Sequence, residues 1–291
     1  MKKILSVLLC ALCIGLFFAG CSKTEYTYAK PDTAADLTVV SFNCAAPWGN
    51  ILDKTSSASR VKRFAAYMNA VKPDSIGTQE MNAKWQTKLS SLMADYDSYG
   101  VKRGGDDNEN KSEMNCIFWL KDKYTCMDKN TFWLSETPET ESKYEGAGCN
   151  RVCSYVVLKN NENGRIYIHF NTHLDNASDE ARVFGASVIL DKLEEISKNY
   201  SGAMIVLSGD FNDIESGKPC SLIAEKLTSC SSANSENKTN TYTDWGNLQD
   251  TSGEPIDFIF TDMTPVTYDV LDDLSNGYVS DHFGIIAQIN Y

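Results

Sequence analysis

Six short clusters of polar side chains interrupt the apolar pattern of this chain: Asn43, Gln79-Glu80, Asn171-Thr172-His173, Gly209-Asp210-Phe211-Asn212, Asp257 and Ser280-Asp281-His282. The first four follow directly on apolar or β-branched runs, and the last stands just before one. Asp257 lies inside the run 256–260, where a charge is costly unless it is paired. Carboxylates can hold hard cations, imidazoles can carry protons, and amides can orient either. Such groups at strand ends are what a polar site on an α/β scaffold requires.

The spacing between these clusters predicts the elements that must position them. Strands are expected at 37–43, at 74–79 after Pro73, and at 115–120, 124–134, 154–159, 165–171, 203–207, 256–260, 266–271 and 284–289. Helical spacing covers 60–71, with Val61, Phe64, Ala65, Met68 and Val71 on one face, and also 84–93 and 179–197. The stretches 103–112 and 229–251 read as loops, where substrate selection usually resides. There is no internal repeat and no composition break in the main region. Helices between strands, with a strand-rich middle, predict a layered α/β architecture with mixed sheets.

The first twenty residues read as a targeting segment. Lys2 and Lys3 precede the apolar stretch 4–18, which at about 15 residues is short for a bilayer. It ends in Phe18-Ala19-Gly20-Cys21, similar to a bacterial lipobox in which Cys21 is lipidated and becomes the new N-terminus. A plain secretory signal and a short membrane anchor are the competing readings. The expected organisation is a signal peptide at 1–20, a polar tether at 21–36 and a catalytic domain at 37–291. Ser22 after Cys21 is compatible with outer-membrane sorting if the cell has such a membrane. The expected place is therefore the cell envelope, with the membrane engaged through the N-terminal lipid and no protein partner implied.

Of 291 residues, 42% are hydrophobic and 23% charged, as in a folded globular protein. Removal of Lys2 and Lys3 takes the 27 basic residues to 25 against 39 acidic, a net of −14. Such a domain gains little from generic attraction to phosphate backbones. The acidity, without a Lys/Arg cluster, argues against tight, sequence-independent binding of nucleic acid, although a bound cation would invert the local field. Beyond the signal and Cys21, seven cysteines remain. Export would permit Cys149–Cys153, Cys220–Cys230 and Cys116–Cys126 disulfides, leaving Cys44 odd. The spacing fits no zinc pattern.

The clusters Ser41-Phe42-Asn43, Gln79-Glu80, Thr172-His173, Gly209-Asp210-Phe211-Asn212, Ile256-Asp257 and Ser280-Asp281-His282 resemble, in this order, the endonuclease/exonuclease/phosphatase superfamily related to deoxyribonuclease I. Gln-Glu alone carries nothing; the order of all six does. The stretch 132–138 is also similar to one in secreted bacterial members. The resemblance spans about residues 37–291. It implies a four-layer α/β sandwich, two mixed β-sheets packed face to face with helices outside. It also implies Mg²⁺ or Mn²⁺ and in-line attack of water on a phosphoester.

Carried over position by position, the resemblance makes Glu80 and Asp281 metal ligands, with Asn43 supporting the metal and positioning the phosphate. Asp210 would take a proton from the attacking water and Asn212 would hold water or phosphate. His282, partnered by Asp257, would stabilise charge on the phosphate or transfer protons, and His173 would donate to a phosphate oxygen or the leaving group. Each has a plainer alternative: a helix-start acid, a turn cap, a strand-end turn. Arg103, Arg151 and Arg182 are candidate phosphate clamps, with ordinary salt bridges as the competing role. His169 shares the face of His173 by strand period and is expected to be a satisfied core histidine. Tyr242 and Trp245 are placed to cover the site or to pack their own loop. The function this resemblance implies is an exported, lipid-anchored, metal-dependent phosphodiesterase, phosphatase or nuclease, the acidic chain leaning it toward a small or lipid-derived phosphoester over nucleic acid; the alternative is an inactive surface-binding lipoprotein of the same fold.

Overall fold

The computed structural model describes residues 35–48, 56–105, 112–237, 239–248 and 253–291. The signal, Cys21 and most of the tether lie outside the described residues. Among the described residues twelve strands form two six-stranded sheets. In the first, β11 (Thr264–Leu271), β12 (Gly284–Asn290), β1 (Leu37–Asn43), β2 (Ser75–Met81), β4 (Met114–Leu120) and β3 (Tyr96–Tyr99) lie in that order. In the second the order is β5 (Tyr124–Trp133), β6 (Val152–Asn160), β7 (Ile166–His173), β8 (Met204–Asp210), β10 (Asp257–Thr261) and β9 (Thr228–Ser229). Each sheet has one parallel pair, β1 with β2 and β7 with β8, among antiparallel neighbours. Parallel pairs need a crossover, and α1 (Ser57–Val71) and α3 (Asp179–Ser197) supply the two. α2 (Ala83–Leu92) follows β2, and α4 (Lys218–Ala224) follows β8.

Three apolar clusters show the layering. One joins α1 and α2 to the first sheet through Phe64, Met68, Trp85, Val40 and Phe42. Another joins α3 and α4 to the second through Ile189, Leu193, Ile223, Leu207 and Phe258. The third lies between the sheets, with Leu37, Val39, Ile117, Val206, Ile259 and Ile285. Four layers with three interfaces is the expected α/β sandwich. Strand alternation produces it: in β1, Leu37 and Val39 face the other sheet while Val40 and Phe42 face the helices.

Local signals set the helix starts. Asn82 accepts from Trp85 N at 2.9 Å, and Ser178 accepts from Ala181 N at 3.1 Å. Asp179 and Glu180 in the first turn of α3 suit its dipole. β3, α4 and β9 were not expected; all are short, and the described part of the predicted loop 229–251 contains two 3₁₀ turns, 230–234 and 244–246.

The conceivable disulfides do not form: all seven described cysteines are free. Each pair is split between layers. Cys116 faces α1 and α2 while Cys126 packs between the sheets. Cys220 is under α4 while Cys230 is between the sheets. Cys153 faces the α3 layer while Cys149 lines a surface cleft.

Midway between the sheets the apolar filling gives way to a buried polar network. His169 Nδ1 meets Ser75 Oγ at 2.9 Å, and its Nε2 meets Ser208 Oγ at 2.8 Å. Gln79 Nε2 donates to Asn171 Oδ1 at 2.6 Å and to Ser41 Oγ at 3.1 Å. Gly77 permits this approach, because a Cβ there would stand 2.1 Å from Ser208 Oγ. His169 is thus a satisfied core histidine, and burial lowers its pKa to about 3.

Candidate active site

Strand register assembles the site. His173 on β7 pairs with Asp210 on β8, and Asp210 pairs with Asp257 on β10, so three strands set these residues in one row. β7 and β8 run close enough that Gly209 is required, since a Cβ there would meet Thr172 O at 2.6 Å. From the opposite sheet, Asn43 at the end of β1 donates to Asp210 Oδ2 at 3.0 Å and to Glu80 Oε1 at 3.2 Å. His282, just before β12, completes the join: its Nδ1 is 2.9 Å from Asp257 Oδ2 and its Nε2 is 3.8 Å from Asp210 Oδ2. His173 Nε2 lies 3.5 Å from the same Asp210 oxygen.

Two backbone irregularities aim side chains here. In regular β2 geometry Glu80 would face the helices, opposite to Gln79. A bulge between Thr78 and Met81 and a φ of 50° at Glu80 turn it into the cleft. Left-handed backbone at a glutamate is costly and is held by its surroundings. Asn212 has φ 49°; its N–H donates to Asp210 Oδ1 at 2.9 Å, and its side chain donates to Leu174 O at 3.0 Å.

The electrostatics are those of grouped acids with one protonated imidazole. Burial, then the charges of Glu113 and Asp281, raise the proton affinity of Glu80. Burial and Asp257 do the same for Asp210. Burial works against charge on His282, but Asp257, Asp210 and Asp281 outweigh it and raise its pKa. His173 goes the other way: burial first, then Arg151, Arg103 and His282, keep it neutral. Its contact with Asp210 is therefore not an ion pair at neutral pH.

The cleft holding Glu80, Asp210, Asn212, Asp281, His173 and His282 measures about 490 Å³. Asn43 and Asp257 lie fully buried beneath it. Arg103 and Arg151 also line it, but each is paired: Arg103 Nη1 with Glu113 Oε2 at 2.6 Å, Arg151 Nε with Asp175 Oδ2 at 3.4 Å. Arg182 does not line the cleft; its guanidinium sits on Asp179, on Asp213 at 3.5 Å and on Asp175 O at 3.0 Å.

Among the described residues one grouping has atoms close enough to share a cation, and a second set of carboxylates lines the same cleft. Oxygen and nitrogen atoms of Asp210, Asp257 and His282 lie within 4.8 Å of one another. The His282–Asp257 hydrogen bond already occupies two of them. Glu80 and Asp281, with Glu113 nearby, present carboxylates that repel each other without a counter-charge. An all-oxygen set fits a hard divalent ion better.

Three residues of the site were not foreseen. Glu113 stands in the cleft from just before β4. Asp175 accepts from Gly148 N at 3.0 Å and Ala177 N at 3.0 Å, and so holds the segment that carries Arg151. Arg60 of α1 is fully buried and donates to Cys44 O at 2.7 Å, Ala45 O at 2.8 Å, Trp48 O at 2.6 Å and Val279 O at 3.0 Å. Its guanidinium lies over the rings of Trp85 and Trp245, at 5.1 and 4.8 Å. It ties the loop after Asn43 to the one before Asp281. Its place on the α1 face of Phe64 and Val71 was the available signal.

A two-sheet sandwich with acids, amides and imidazoles at one rim defines a class, and the chain belongs to the endonuclease/exonuclease/phosphatase family, whose model matches residues 40–282. Members of this family hydrolyse phosphoesters and are typically dependent on divalent metals. Among solved structures it is similar to a mannosyl-6-phosphatase of Bacteroides thetaiotaomicron, with 26% identity, 88% of this chain and 100% of that one covered, and TM-score 0.76. It is also similar to an endonuclease/exonuclease/phosphatase protein of Bacteroides vulgatus, with 25% identity, 87% and 98% coverage, and TM-score 0.79. A curated relative, a probable CCR4-Not complex 3′–5′ exoribonuclease subunit of Vairimorpha ceranae, is 23% identical over 221 residues, 67% of this chain. The matched part spans 46% of that relative's length.

Proposed function

We propose that the protein is an exported, lipid-anchored, divalent-metal-dependent hydrolase of phosphoesters that uses in-line attack of water. The observation that carries this reading is the His173–Asp210–Asp257 row set against Asn43, Glu80 and His282 at one rim. Glu80 and Asp281 would hold Mg²⁺ or Mn²⁺, with Asn43 fixing Glu80. When bound, the ion supplies positive charge against the density that builds on the phosphoryl oxygens. Asp210, oriented by Asn43 and by the N–H of Asn212, accepts a proton from the attacking water. His282, kept protonated by Asp257, faces the same oxygens with positive charge. Neutral His173 donates a hydrogen bond on the leaving-group side. Arg103 and Arg151 border the substrate; Arg182 acts at a distance, through the Asp175 segment.

A small phosphoester is favoured over nucleic acid. Both cleft arginines are neutralised by acids, which leaves little charge to track a phosphate backbone. The mannosyl-6-phosphatase likeness points the same way. The lipid anchor rests on Cys21 and its flanking residues, and implies a cell-envelope location, the outer membrane if there is one. Cys21→Ser should release the protein from the membrane fraction.

The test is product release by the protein from Tyr26 onward with Mg²⁺, Mn²⁺ or chelator. The substrates are DNA, RNA, bis-p-nitrophenyl phosphate, sphingomyelin, inositol phosphates and sugar phosphates. Metal-dependent turnover that Asp210→Asn lacks is expected. Metal binding with no turnover of any ester would favour a non-catalytic binding protein instead.

A further inference from the structure

Two aromatic side chains of the cleft are partly exposed. Trp48 is 48% exposed and Tyr242 37%, and they are the only aromatics among the exposed large hydrophobic residues that are described. Trp85 and Trp119, by contrast, are 3% and 2% exposed. Both exposed rings line the cleft that contains Glu80, Asp210 and His282. Exposed apolar area costs roughly 25 cal/mol per Å², so two rings at one cleft suggest a ligand surface.

The backbone at both positions is hydrogen-bonded. Trp48 N donates to Ala45 O at 3.0 Å, and Trp48 O accepts from the buried Arg60 at 2.6 Å. Tyr242 forms an antiparallel bridge with His282, secured by Thr243 N to Asp281 O and Phe283 N to Thr241 O, both at 2.7 Å. The Tyr242 ring lies 5.0 Å from the His282 imidazole. The backbones of both residues, and the Tyr242 ring through His282, are therefore tied to the groups that would hold the phosphate.

We infer that Trp48 and Tyr242 form a subsite for the leaving group, and that this group carries a ring with an apolar face, a pyranose or a nucleobase. The inference rests on the phosphoesterase reading and names its substrate class. At about 490 Å³ the cleft has room for a phosphorylated ring. Aromatic contacts of this kind discriminate by about 3- to 10-fold each.

The experiment measures kcat and KM of the purified full-length protein with Mn²⁺ on glycerol 3-phosphate, a hexose 6-phosphate and adenosine monophosphate. Wild type, Trp48→Ala and Tyr242→Ala are compared, and unchanged circular dichroism confirms that each is folded. The wild type should favour a ring ester over the acyclic one, and Trp48→Ala should cut that preference about 3- to 10-fold, mainly through KM. The ring ester that loses most identifies the ring as sugar or base. Equal losses on all three esters, or a wild type indifferent to the ring, would overturn the subsite. If the wild type hydrolyses none of them, the phosphoesterase reading falls only if the diester and nucleic-acid substrates named above also stay intact, and the subsite is decided separately. Fluorescence titration with unphosphorylated methyl hexoside and adenosine, with Trp48→Phe as reference, then decides the subsite: quenching specific to Trp48 supports it, and its absence refutes it.

Discussion

His169 should make stability pH-dependent in a way that can be isolated. It is fully buried, bonded to Ser75 and Ser208, and burial lowers its pKa from 6.5 to about 3. Between these values the unfolded chain binds a proton that the native state does not, so stability rises with pH through this window. The loss on going from pH 7.5 to pH 5 is about 1.36 kcal/mol for each of 1.5 units, or about 2 kcal/mol. The acids of the cleft, with raised pKa, contribute with the opposite sign over pH 4–7, so wild type alone is not diagnostic. The comparison is with His169→Gln, which keeps those acids and removes the titrating ring. At pH 7.5 the variant should be less stable by about 1–3 kcal/mol, because its amide cannot meet both serines equally well. At pH 5 the gap should shrink by about 2 kcal/mol. Urea unfolding at both pH values, in chelator, gives the two gaps. A gap unchanged with pH would show that His169 is not buried neutral, and the inter-sheet network would need another account.

Asp210→Asn should lower kcat about 10²- to 10⁴-fold on bis-p-nitrophenyl phosphate while leaving the thermal midpoint near that of wild type. Glu80→Gln and Asp281→Asn should each weaken Mn²⁺ binding by more than the roughly 10- to 100-fold that outer-shell changes cost, as read by calorimetry. Equal Mn²⁺ affinity in both would move the ion to Asp210, Asp257 and His282. Arg60→Met strips donors from four backbone carbonyls and should destabilise the fold by about 3 kcal/mol or more in urea unfolding. In denaturant without reductant, the protein from Tyr26 onward should titrate seven thiols; two or more missing would mean disulfides.

Much of the site was legible because strand alternation reports more than secondary structure. The inward faces of β1, β7 and β8 read Leu37-Val39-Ser41-Asn43, Tyr167-His169-Asn171-His173 and Met204-Val206-Ser208-Asp210. Each runs from apolar to polar toward its C-terminal end. The first two-thirds must lie between sheets and the last third must reach an opening, so the side of the sandwich that carries chemistry is encoded within single strands. What is not encoded there is anything that breaks the period. Glu80 belongs by parity to the helix-facing side, and only the bulge and the left-handed backbone bring it to Asn43. The contact of Asn43 with Asp210 spans 167 residues and depends on how one sheet lies on the other. Glu113 stands outside any periodic run, and Arg60, although on the apolar face of α1, looks like an ordinary helix surface charge until its four carbonyl partners are seen. The residues of the row were therefore readable, and those that arrange it were not. The row follows from register, a local property of the chain, whereas Glu80, Glu113 and Arg60 answer to backbone and charge supplied by distant segments.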